Sequence, residues 1–460
     1  MSRLWIVVAL LVGGGLTAAC GAAGSSADSG PTTTRATAAQ PSHAQTSTTE
    51  PPAASTAAAN WPTFGGSSSR SAVAPGAPAH PQVRPRFTRA LDGQVYAQPL
   101  IVDGRIYVAT ENNTVYAFTT SGRRLWKRHL GQPVSGGELP CGNISPSGIT
   151  GTPVITAGRL YAVAFLHNGL RHVLVALRLS NGHVAMRVNV DPANRQVHQQ
   201  RGALLAGHGR IYVPYGGLFG DCGPYRGVVI STTTAGRARI TYRTPAAQAG
   251  IWAPAGISEQ SGTLLVSTGN GGGSSFQYQN SVIRLSPGLR RQAFWAPRNW
   301  QPLSSSDTDV SSLAPLPVSG GRVFQIGKDG IGYLLPAGLG GIGGQQFGTQ
   351  LCGGGAFGAD AFLDPLMVVP CGGAMYGLRL AGSRFTVAWH SGVGGMVPVI
   401  AGDSVFALTR DGTLVQLRMS NGSQITSTRV GGGSTSFPAP AVAGSTMVAP
   451  TGAGIAVFRL

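Results

Sequence analysis

Lysine is nearly absent from this 460-residue chain. Only Lys127 and Lys328 are lysines among 34 basic residues, so arginine carries almost all of the formal net charge of +18. Charged residues make up only 11% of the sequence, whereas glycine occurs 69 times. Few charges and many glycines argue against helices rich in Glu and Lys, and they indicate many short strands joined by tight turns.

A concentrated basic stripe or basic helix is also missing, because the arginines are scattered along the chain. This distribution predicts that nucleic acid is not a partner. Two interpretations of the charge remain open. It either gives an ordinary soluble basic surface, or it attracts an anionic surface such as lipid headgroups, a cell-wall polymer or an acidic protein.

The N-terminus predicts export. The short basic start "MSR" precedes the apolar run "LWIVVALLV", which is too short to span a bilayer comfortably. The following "LTAAC" resembles the lipobox of bacterial lipoproteins, with Thr17 where that family usually has leucine. The resemblance implies a signal peptide over residues 1–20, a lipid on Cys20 and a membrane anchor on the extracytoplasmic side. Cleavage near Ala19 and secretion is the alternative.

Residues 21–60 are almost all Ala, Ser, Thr, Gly and Pro, which predicts a disordered linker. Four cysteines follow, an even number that suggests two disulfides in an exported protein. Cys352 and Cys371 are close in sequence and are predicted to pair, which leaves Cys141 for Cys222. Four buried free thiols are the alternative. No Cys-x-x-Cys pair or histidine cluster indicates a zinc site.

A repeat dominates the remaining sequence. "PLIVDGRIYV" (99–108), "PVITAGRLYA" (153–162) and "LLAGHGRIYV" (204–213) share one pattern, and five looser copies follow. Each copy has an apolar strand, a Gly turn and a second strand, with two further strands after them. Eight such units predict an all-β fold, an eight-bladed β-propeller of four-stranded antiparallel blades.

The ends of the repeat predict how the ring closes. The last copy stops after its third strand at "GIAVFRL" (454–460), whereas "RPRFTRAL" (84–91) precedes the first copy. This N-terminal strand matches the outer-strand type, with Phe87 about where Trp126 lies in the first blade. We therefore expect it to complete the eighth blade.

These copies, and the segment "NWPTFGGSSSRSAVAPG" (60–76) before them, resemble the pyrroloquinoline quinone (PQQ)-type propellers over residues 61–460. Two groups share this fold. One comprises outer-membrane assembly lipoproteins of the BamB type, which are anchored scaffolds. The other comprises PQQ-dependent alcohol dehydrogenases. The fold alone does not choose between them.

The resemblance to the dehydrogenases implies candidate site residues. "STGNGGG" (267–273) is similar to their calcium-binding segment and makes Asn270 the metal ligand. "SSDTDV" (305–310) falls where they carry the catalytic carboxylate, so Asp307 or Asp309 is the candidate. "GKDGIGYLL" (327–335) looks like their stretch with a cofactor-contacting lysine, here Lys328. Calcium prefers hard oxygen ligands, and a carboxylate could accept the alcohol proton.

Other features of those enzymes are missing. They stack the quinone between an adjacent Cys-Cys disulfide and a tryptophan, but no two cysteines are adjacent here. No segment matches the one that supplies their calcium-binding glutamate. Trp252 and Arg201 are the remaining cofactor-binding candidates, at the start of blades where side chains can face the channel. An ordinary role in turns, the rim or a channel network is the alternative for all these residues.

The sequence therefore predicts an exported, lipid-anchored propeller that acts as a non-enzymatic binding or scaffold module at the cell envelope, with no cofactor. Its partners would be an envelope protein or an anionic cell-wall polymer. One alternative is an alcohol dehydrogenase dependent on PQQ and calcium. Another is an extracytoplasmic sensor or carrier of a small polar ligand.

Overall fold

Eight sheets follow one another along the chain, each built on four antiparallel strands in up-and-down order, and two of them have a short fifth strand. The computed structural model describes residues 59–431 and 437–460, so the predicted signal peptide and most of the predicted linker lie outside the described residues. The prediction of an eight-bladed β-propeller is confirmed. Alternating apolar residues explain the arrangement, because each blade buries both faces against its two neighbours.

The strands are numbered in chain order. Strand β1 covers Arg84–Ala90. Blades 1 and 2 contain β2 to β9, which cover Leu100–Val102, Arg105–Thr110, Thr114–Thr119, Arg124–His129, Val154–Thr156, Arg159–Leu166, Arg171–Arg178 and Val184–Asn189. Blades 3 and 4 contain β10 to β18, which cover His198–Gln199, Leu205–Gly207, Arg210–Gly217, Val228–Thr233, Ile240–Arg243, Ser258–Gln260, Thr263–Thr268, Ser281–Leu285 and Arg291–Ala296.

The second half of the ring has the same pattern. Blades 5 and 6 contain β19 to β27, which cover Leu316–Pro317, Val323–Gln325, Ile331–Leu335, Gly341–Ile342, Phe347–Gln350, Ala361–Leu363, Leu366–Cys371, Ala374–Ala381 and Arg384–Ser391. Within this set β22 pairs in parallel with β18 of blade 4. Blades 7 and 8 contain β28 to β34, which cover Val399–Ala401, Ser404–Leu408, Thr413–Arg418, Gln424–Arg429, Ala441–Ala443, Thr446–Pro450 and Gly454–Arg459.

Helical structure is confined to short connections. The one α-helix in the described residues is α1 (Trp300–Ser305). Single 3₁₀ turns cover Gly136–Glu138, Arg195–Val197, Val310–Ser312 and Ser319–Gly321. Within the described part of the chain, no helix combines the length and apolar character needed to cross a bilayer.

The N-terminal strand closes the ring as predicted. Strand β1 pairs antiparallel with β34 and becomes the outer strand of blade 8. Its Phe87 packs on Gly122 of blade 1, where an added Cβ would lie 3.1 Å from the Phe87 ring. Trp126 packs in the same way on Gly182 of blade 2, where an added Cβ would lie 2.6 Å from the indole. The equivalence of Phe87 and Trp126 is thus a shared contact between neighbouring blades.

Both predicted disulfides are present. Cys352 follows the last strand of blade 5 and pairs with Cys371, the last residue of β25 in blade 6. Cys141 pairs with Cys222 and joins the connection between blades 1 and 2 to a loop of blade 3. The alternative of four free thiols is therefore wrong.

The strand order gives the ring two distinct faces. The turns between first and second strands, and between third and fourth strands, lie on one face. The turns between second and third strands lie on the opposite face, together with the connections between blades. We call the second one the mouth face.

Residues 60–76 lie across the first face and form a plug, so we call it the plug face. The plug bonds to the innermost strands of several blades. Trp61 is fully buried and pairs with Ile101 of blade 1, and the Ile155 N–H of blade 2 donates to the Pro62 carbonyl at 2.8 Å. Further backbone bonds reach blades 4, 6, 7 and 8 through Glu259, Phe362, Ile400 and Gly444.

Arg70 is the centre of the plug. Its side chain is buried and donates to the carbonyls of Ile257 at 2.9 Å, Leu204 at 3.0 Å and Phe64 at 2.9 Å. Burial lowers its pKa to about 9, against the opposing charge of Glu259. These bonds connect the plug to blades 3 and 4. The plug therefore closes the channel on this face, and the open end lies on the mouth face.

Candidate functional site

A cavity of about 290 Å³ opens on the mouth face between blades 2 and 5. Its walls come from loops of the mouth face, which is the part of a propeller that is free to vary. Trp252, Asn270, Asp307, Asp309 and Lys328 all line it. The cavity continues into a vestibule of about 720 Å³, which is also lined by Phe357, Arg410 and Phe437.

Asp309 is the buried anchor of the cavity, because only 1% of its side chain is exposed. It precedes the 3₁₀ turn Val310–Ser312 and caps it, accepting hydrogen bonds from the Ser311 N–H at 3.0 Å and the Ser311 hydroxyl at 2.5 Å. The Trp252 indole N–H donates to the same oxygen, Oδ1, at 3.3 Å. These three hydrogen bonds satisfy Oδ1 and fix the carboxylate in the wall of the cavity.

Lys328 points into the cavity and pairs with both predicted carboxylates. Its Nζ lies 2.5 Å from Asp307 Oδ1 and 2.8 Å from Asp309 Oδ2. Burial on its own lowers the pKa of Lys328, but the charges and hydrogen bonds of Asp309 and Asp307 outweigh this effect and raise the pKa above its ordinary value. The amine also lies 5.3 Å from the centre of the Trp252 ring, within cation–π range.

Lys328 is at the same time part of a turn, as its sequence suggests. Its backbone N–H donates to the Asp309 carbonyl at 2.8 Å, and Gly330 follows with a φ of 70°. This backbone bond and the ion pair with Asp309 hold Lys328 against the connection between blades 4 and 5. The role in the turn and the position in the cavity are therefore compatible.

Asn270 lies beside both aspartates, and its amide donates to Asp307 Oδ1 at 2.6 Å. Its Oδ1 is buried and has no hydrogen-bond partner among the described residues. This carbonyl and two carboxylates are the hard oxygen ligands that calcium prefers. However, the Lys328 amine lies against both carboxylates, and no glutamate lines the cavity within the described residues. The two carboxylates already bind the Lys328 ammonium group, so they fit calcium poorly.

The described residues also contain no cluster of three or more His, Cys, Asp or Glu side chains suited to a metal. Asp307 differs from Asp309 in exposure, since 68% of its side chain is accessible. Asp307 is open to direct contact with a ligand, whereas the Asp309 carboxylate is buried in the cavity wall by its bonds to Ser311, Trp252 and Lys328.

Arg201 lines both the cavity and the vestibule, whereas His198 does not line either. The Arg201 guanidinium lies 4.6 Å from the centre of the Phe437 ring, and its Nη2 has no hydrogen-bond partner within the described residues. Burial lowers the pKa of Arg201 to about 10, which leaves it charged at neutral pH. The imidazole of His198 instead donates from Nδ1 to the Asn194 carbonyl at 3.0 Å and accepts at Nε2 from the Arg226 N–H at 3.3 Å, so it is a structural residue.

The Cys141–Cys222 disulfide stabilises one wall of the cavity. Asn143 and Ile144 follow the first cysteine, and residues 217–221 precede the second, and all of them line the cavity. Phe219, at the tip of this wall, is 68% exposed. The dehydrogenase-type pair of adjacent cysteines is absent, but a disulfide still lies next to the cavity.

The sequence analysis missed a buried polar network beside the cavity. Glu111 is 1% exposed, and its Oε2 accepts from the Gly148 N–H at 2.6 Å and the Thr150 hydroxyl at 3.0 Å. Burial raises the pKa of Glu111 to about 7. Gln199, which lines the cavity, donates to the same hydroxyl at 3.2 Å. The rarity of acidic residues, 16 in total, is the one sequence signal that could have singled out Glu111.

Comparison with known proteins bears on the repeat and the fold. Residues 81–256 match the family model described as outer membrane protein assembly factor BamB. The chain is a PQQ-repeat β-propeller. The resemblance noted in the sequence is thus confirmed, and no curated protein sequence matches the chain significantly.

Solved structures show the same fold at low identity. Quinohemoprotein alcohol dehydrogenase from Comamonas testosteroni is 16% identical, with a TM-score of 0.64, and the match covers 87% of this chain and 80% of that one. A europium-containing methanol dehydrogenase is 12% identical, with a TM-score of 0.68, over 87% and 98% of the two chains. BamB from Moraxella catarrhalis is 12% identical, with a TM-score of 0.58, over 82% and 100%. The PQQ-repeat propeller thus shares its fold with both groups, and its disulfides indicate an extracytoplasmic protein.

Proposed function

We propose that the protein is an extracytoplasmic binding module that holds a small polar ligand in the cavity on its mouth face and does not transform it. The observation that carries this proposal is the convergence of Trp252, Asn270, Asp307, Asp309 and Lys328 on one cavity of about 290 Å³. Asn270 Oδ1 and Arg201 Nη2 are buried there without partners among the described residues. Such groups cost free energy unless a ligand or water bonds to them.

The state of the two carboxylates supports binding over catalysis. A general base needs a lone pair free to accept the substrate proton. Here Lys328 contacts Asp307 Oδ1 and Asp309 Oδ2, and Asp309 Oδ1 already accepts three hydrogen bonds. Ligand hydroxyl or amine groups could still bond to the exposed part of Asp307. Trp252 provides an aromatic wall for an apolar part of the ligand.

Ligand binding can be tested by thermal unfolding of the full chain with a panel of quinones, small carboxylates and sugars that includes PQQ. We expect at least one compound to raise the melting temperature of the parent, and the shift to disappear in Trp252→Leu. The exposed Arg298, on the mouth face but outside the cavity, gives the control variant Arg298→Gln. If no compound gives a shift that depends on Trp252, the proposal is wrong.

A PQQ-dependent alcohol dehydrogenase is the second candidate, and the order and convergence of Asn270, Asp307, Asp309 and Lys328 favour it. The comparison with quinohemoprotein alcohol dehydrogenase supports the fold but not the activity. Purified protein mixed with PQQ and calcium should be passed through gel filtration and then assayed for dye-linked oxidation of primary alcohols. Oxidation that depends on Asp307 would replace the first proposal with this one.

We further propose that Cys20 carries a lipid that anchors the protein at the outer side of the membrane, where an envelope protein could be a partner. The lipobox-like "LTAAC" and the similarity to the BamB family model support this location. Cys20→Ser should move the protein from the membrane fraction to the medium. If the variant stays in the membrane fraction, another segment anchors the protein and the lipobox interpretation fails.

A further inference from the structure

Exposed arginines surround the plug face. Third strands end on this face and fourth strands begin there, and in seven of the eight blades these positions carry arginine. The exposed ones are Arg84, Arg86, Arg123, Arg124, Arg178, Arg237, Arg290, Arg379, Arg384, Arg418 and Arg459. We call these eleven residues the arginine rim. It accounts for about a third of the 34 basic side chains of the protein.

Few carboxylates offset the charge of the rim in the described part of the chain, although Asp364 and Asp403 lie beside Arg379 and Arg418. None of the eleven arginines has an ion pair with a carboxylate among the described residues. Arg86, for example, donates to the Thr120 carbonyl and Arg84 to the Gln82 amide oxygen. Two acids of the plug face, Asp403 and Glu259, lie against His80 and His208. The rim therefore presents positive charge to solvent.

The shape of the rim indicates the kind of anion that it would meet. The arginines lie around the edge of a disc, and none lines the cavity or its vestibule. A flat anionic surface can contact many of them at once, whereas a single extended polymer would need a groove. We propose that the arginine rim docks the plug face onto an anionic phospholipid bilayer.

The path of the chain supports this orientation. The described chain begins at Ala59, whose Cβ lies near Gly76 of the plug and Gly444 of blade 8. Residues 1–58, which include Cys20, thus join the propeller on the plug face. A membrane attachment made by this N-terminal region would therefore be compatible with docking of the rim on the same membrane. The proposal does not depend on the ligand cavity, which is on the opposite face.

Binding to vesicles can test the proposal in the full chain carrying Cys20→Ser, so that no lipid is attached. We compare sedimentation with phosphatidylcholine vesicles and with vesicles containing about one-third phosphatidylglycerol. The rim variant replaces Arg123, Arg178, Arg237 and Arg290 with glutamine. The control variant removes the same charge from the mouth side through Arg171, Arg195, Arg243 and Arg298, which are also exposed.

Each basic side chain near an anionic bilayer adds to the binding, so removing four of them together should lower the partition coefficient strongly. We expect the phosphatidylglycerol-dependent partition coefficient to fall at least about tenfold in the rim variant, and less than about threefold in the control. Replacing the same four arginines with lysine should restore binding, which separates loss of charge from loss of folding.

Three results would overturn the proposal. The first is equal binding of the parent to neutral and anionic vesicles. The second is an equal loss in the rim and control variants, which would indicate an effect of net charge alone. The third is rim-dependent retention on immobilised polygalacturonate that persists with excess anionic vesicles, which would assign the rim to a polymer.

Discussion

Replacing Lys328 with methionine should lower the free energy of unfolding by about 3 kcal/mol. The lysine is 19% exposed and its partner Asp309 is 1% exposed, so the change leaves a buried carboxylate without its cation. Breaking a buried ion pair costs roughly 3–5 kcal/mol. The lower end applies, because Asp309 keeps its hydrogen bonds from Ser311 and Trp252. The second pair, with the exposed Asp307, should add less than about 1 kcal/mol.

Urea unfolding followed by tryptophan fluorescence measures this difference. Lys127 is the matched control, since it is the other lysine and pairs with Asp92 at 3.1 Å with 41% of its side chain exposed. Lys127→Met should cost less than about 1 kcal/mol. In a double-mutant cycle, Lys328→Met and Asp309→Asn should be coupled by about 2 kcal/mol. Coupling below about 0.5 kcal/mol would refute the buried ion pair.

The same pair predicts a dependence on alkaline pH. The folded protein raises the pKa of Lys328 above its ordinary value of 10.5. The stabilisation is therefore fully present below pH 10.5 and is lost as the pH rises through the folded-state pKa. Lys328→Met should remove this part of the alkaline loss of stability.

Three further outcomes are expected. Burial raises the pKa of Glu111 from 4.5 to about 7, so the folded state holds a proton there that the unfolded state has released. The free energy of unfolding should therefore fall by roughly 3 kcal/mol as the pH rises from 4.5 to about 7. Glu111→Gln should remove this pH dependence, which urea titrations at several pH values would measure. Replacing Cys352 and Cys371 with alanine should cost roughly 3 kcal/mol, because the pair closes a loop of 19 residues, whereas Cys20→Ser should leave the unfolding midpoint unchanged. Arg70→Met should lower the free energy of unfolding by at least about 3 kcal/mol, because the carbonyls of Ile257, Leu204 and Phe64 lose their donor. The variant should also expose residues 60–76 to limited proteolysis. Resistance equal to that of the parent would contradict the role of Arg70 in the plug.

The blades could be predicted from the sequence because each one is encoded by a short, contiguous pattern of strands and turns. An apolar strand, a Gly turn and a second strand recur in each copy, and the period alone implies the ring. The match between Phe87 and Trp126 was visible for the same reason, since both belong to outer strands. The plug could not be predicted, because residues 60–76 have no strand periodicity. Their bonds go to inner strands that adjoin only after the ring has closed.

Some features of the candidate site could also be predicted from the sequence, and others could not. The order of Asn270, Asp307, Asp309 and Lys328 predicted loops on neighbouring blades, and the structure brings their side chains together. The difference in burial between Asp307 and Asp309 was not visible, because it depends on the 3₁₀ turn that Asp309 caps. Arg410 and Phe437 were also missed. They belong to later blades and reach the vestibule only through the closure of the ring.

The plug, the arginine rim and the cavity make the two faces of the propeller different. The plug bonds to inner strands of most blades on one face, so a ligand reaches the cavity from the mouth face. The rim and the start of the described chain are on the plug face. Docking through the rim leaves the mouth face open to the solvent, and an attachment through the N-terminal region is compatible with this orientation. If the rim faced away from the membrane, the mouth face would face the membrane, and a ligand would have to reach the cavity from that side.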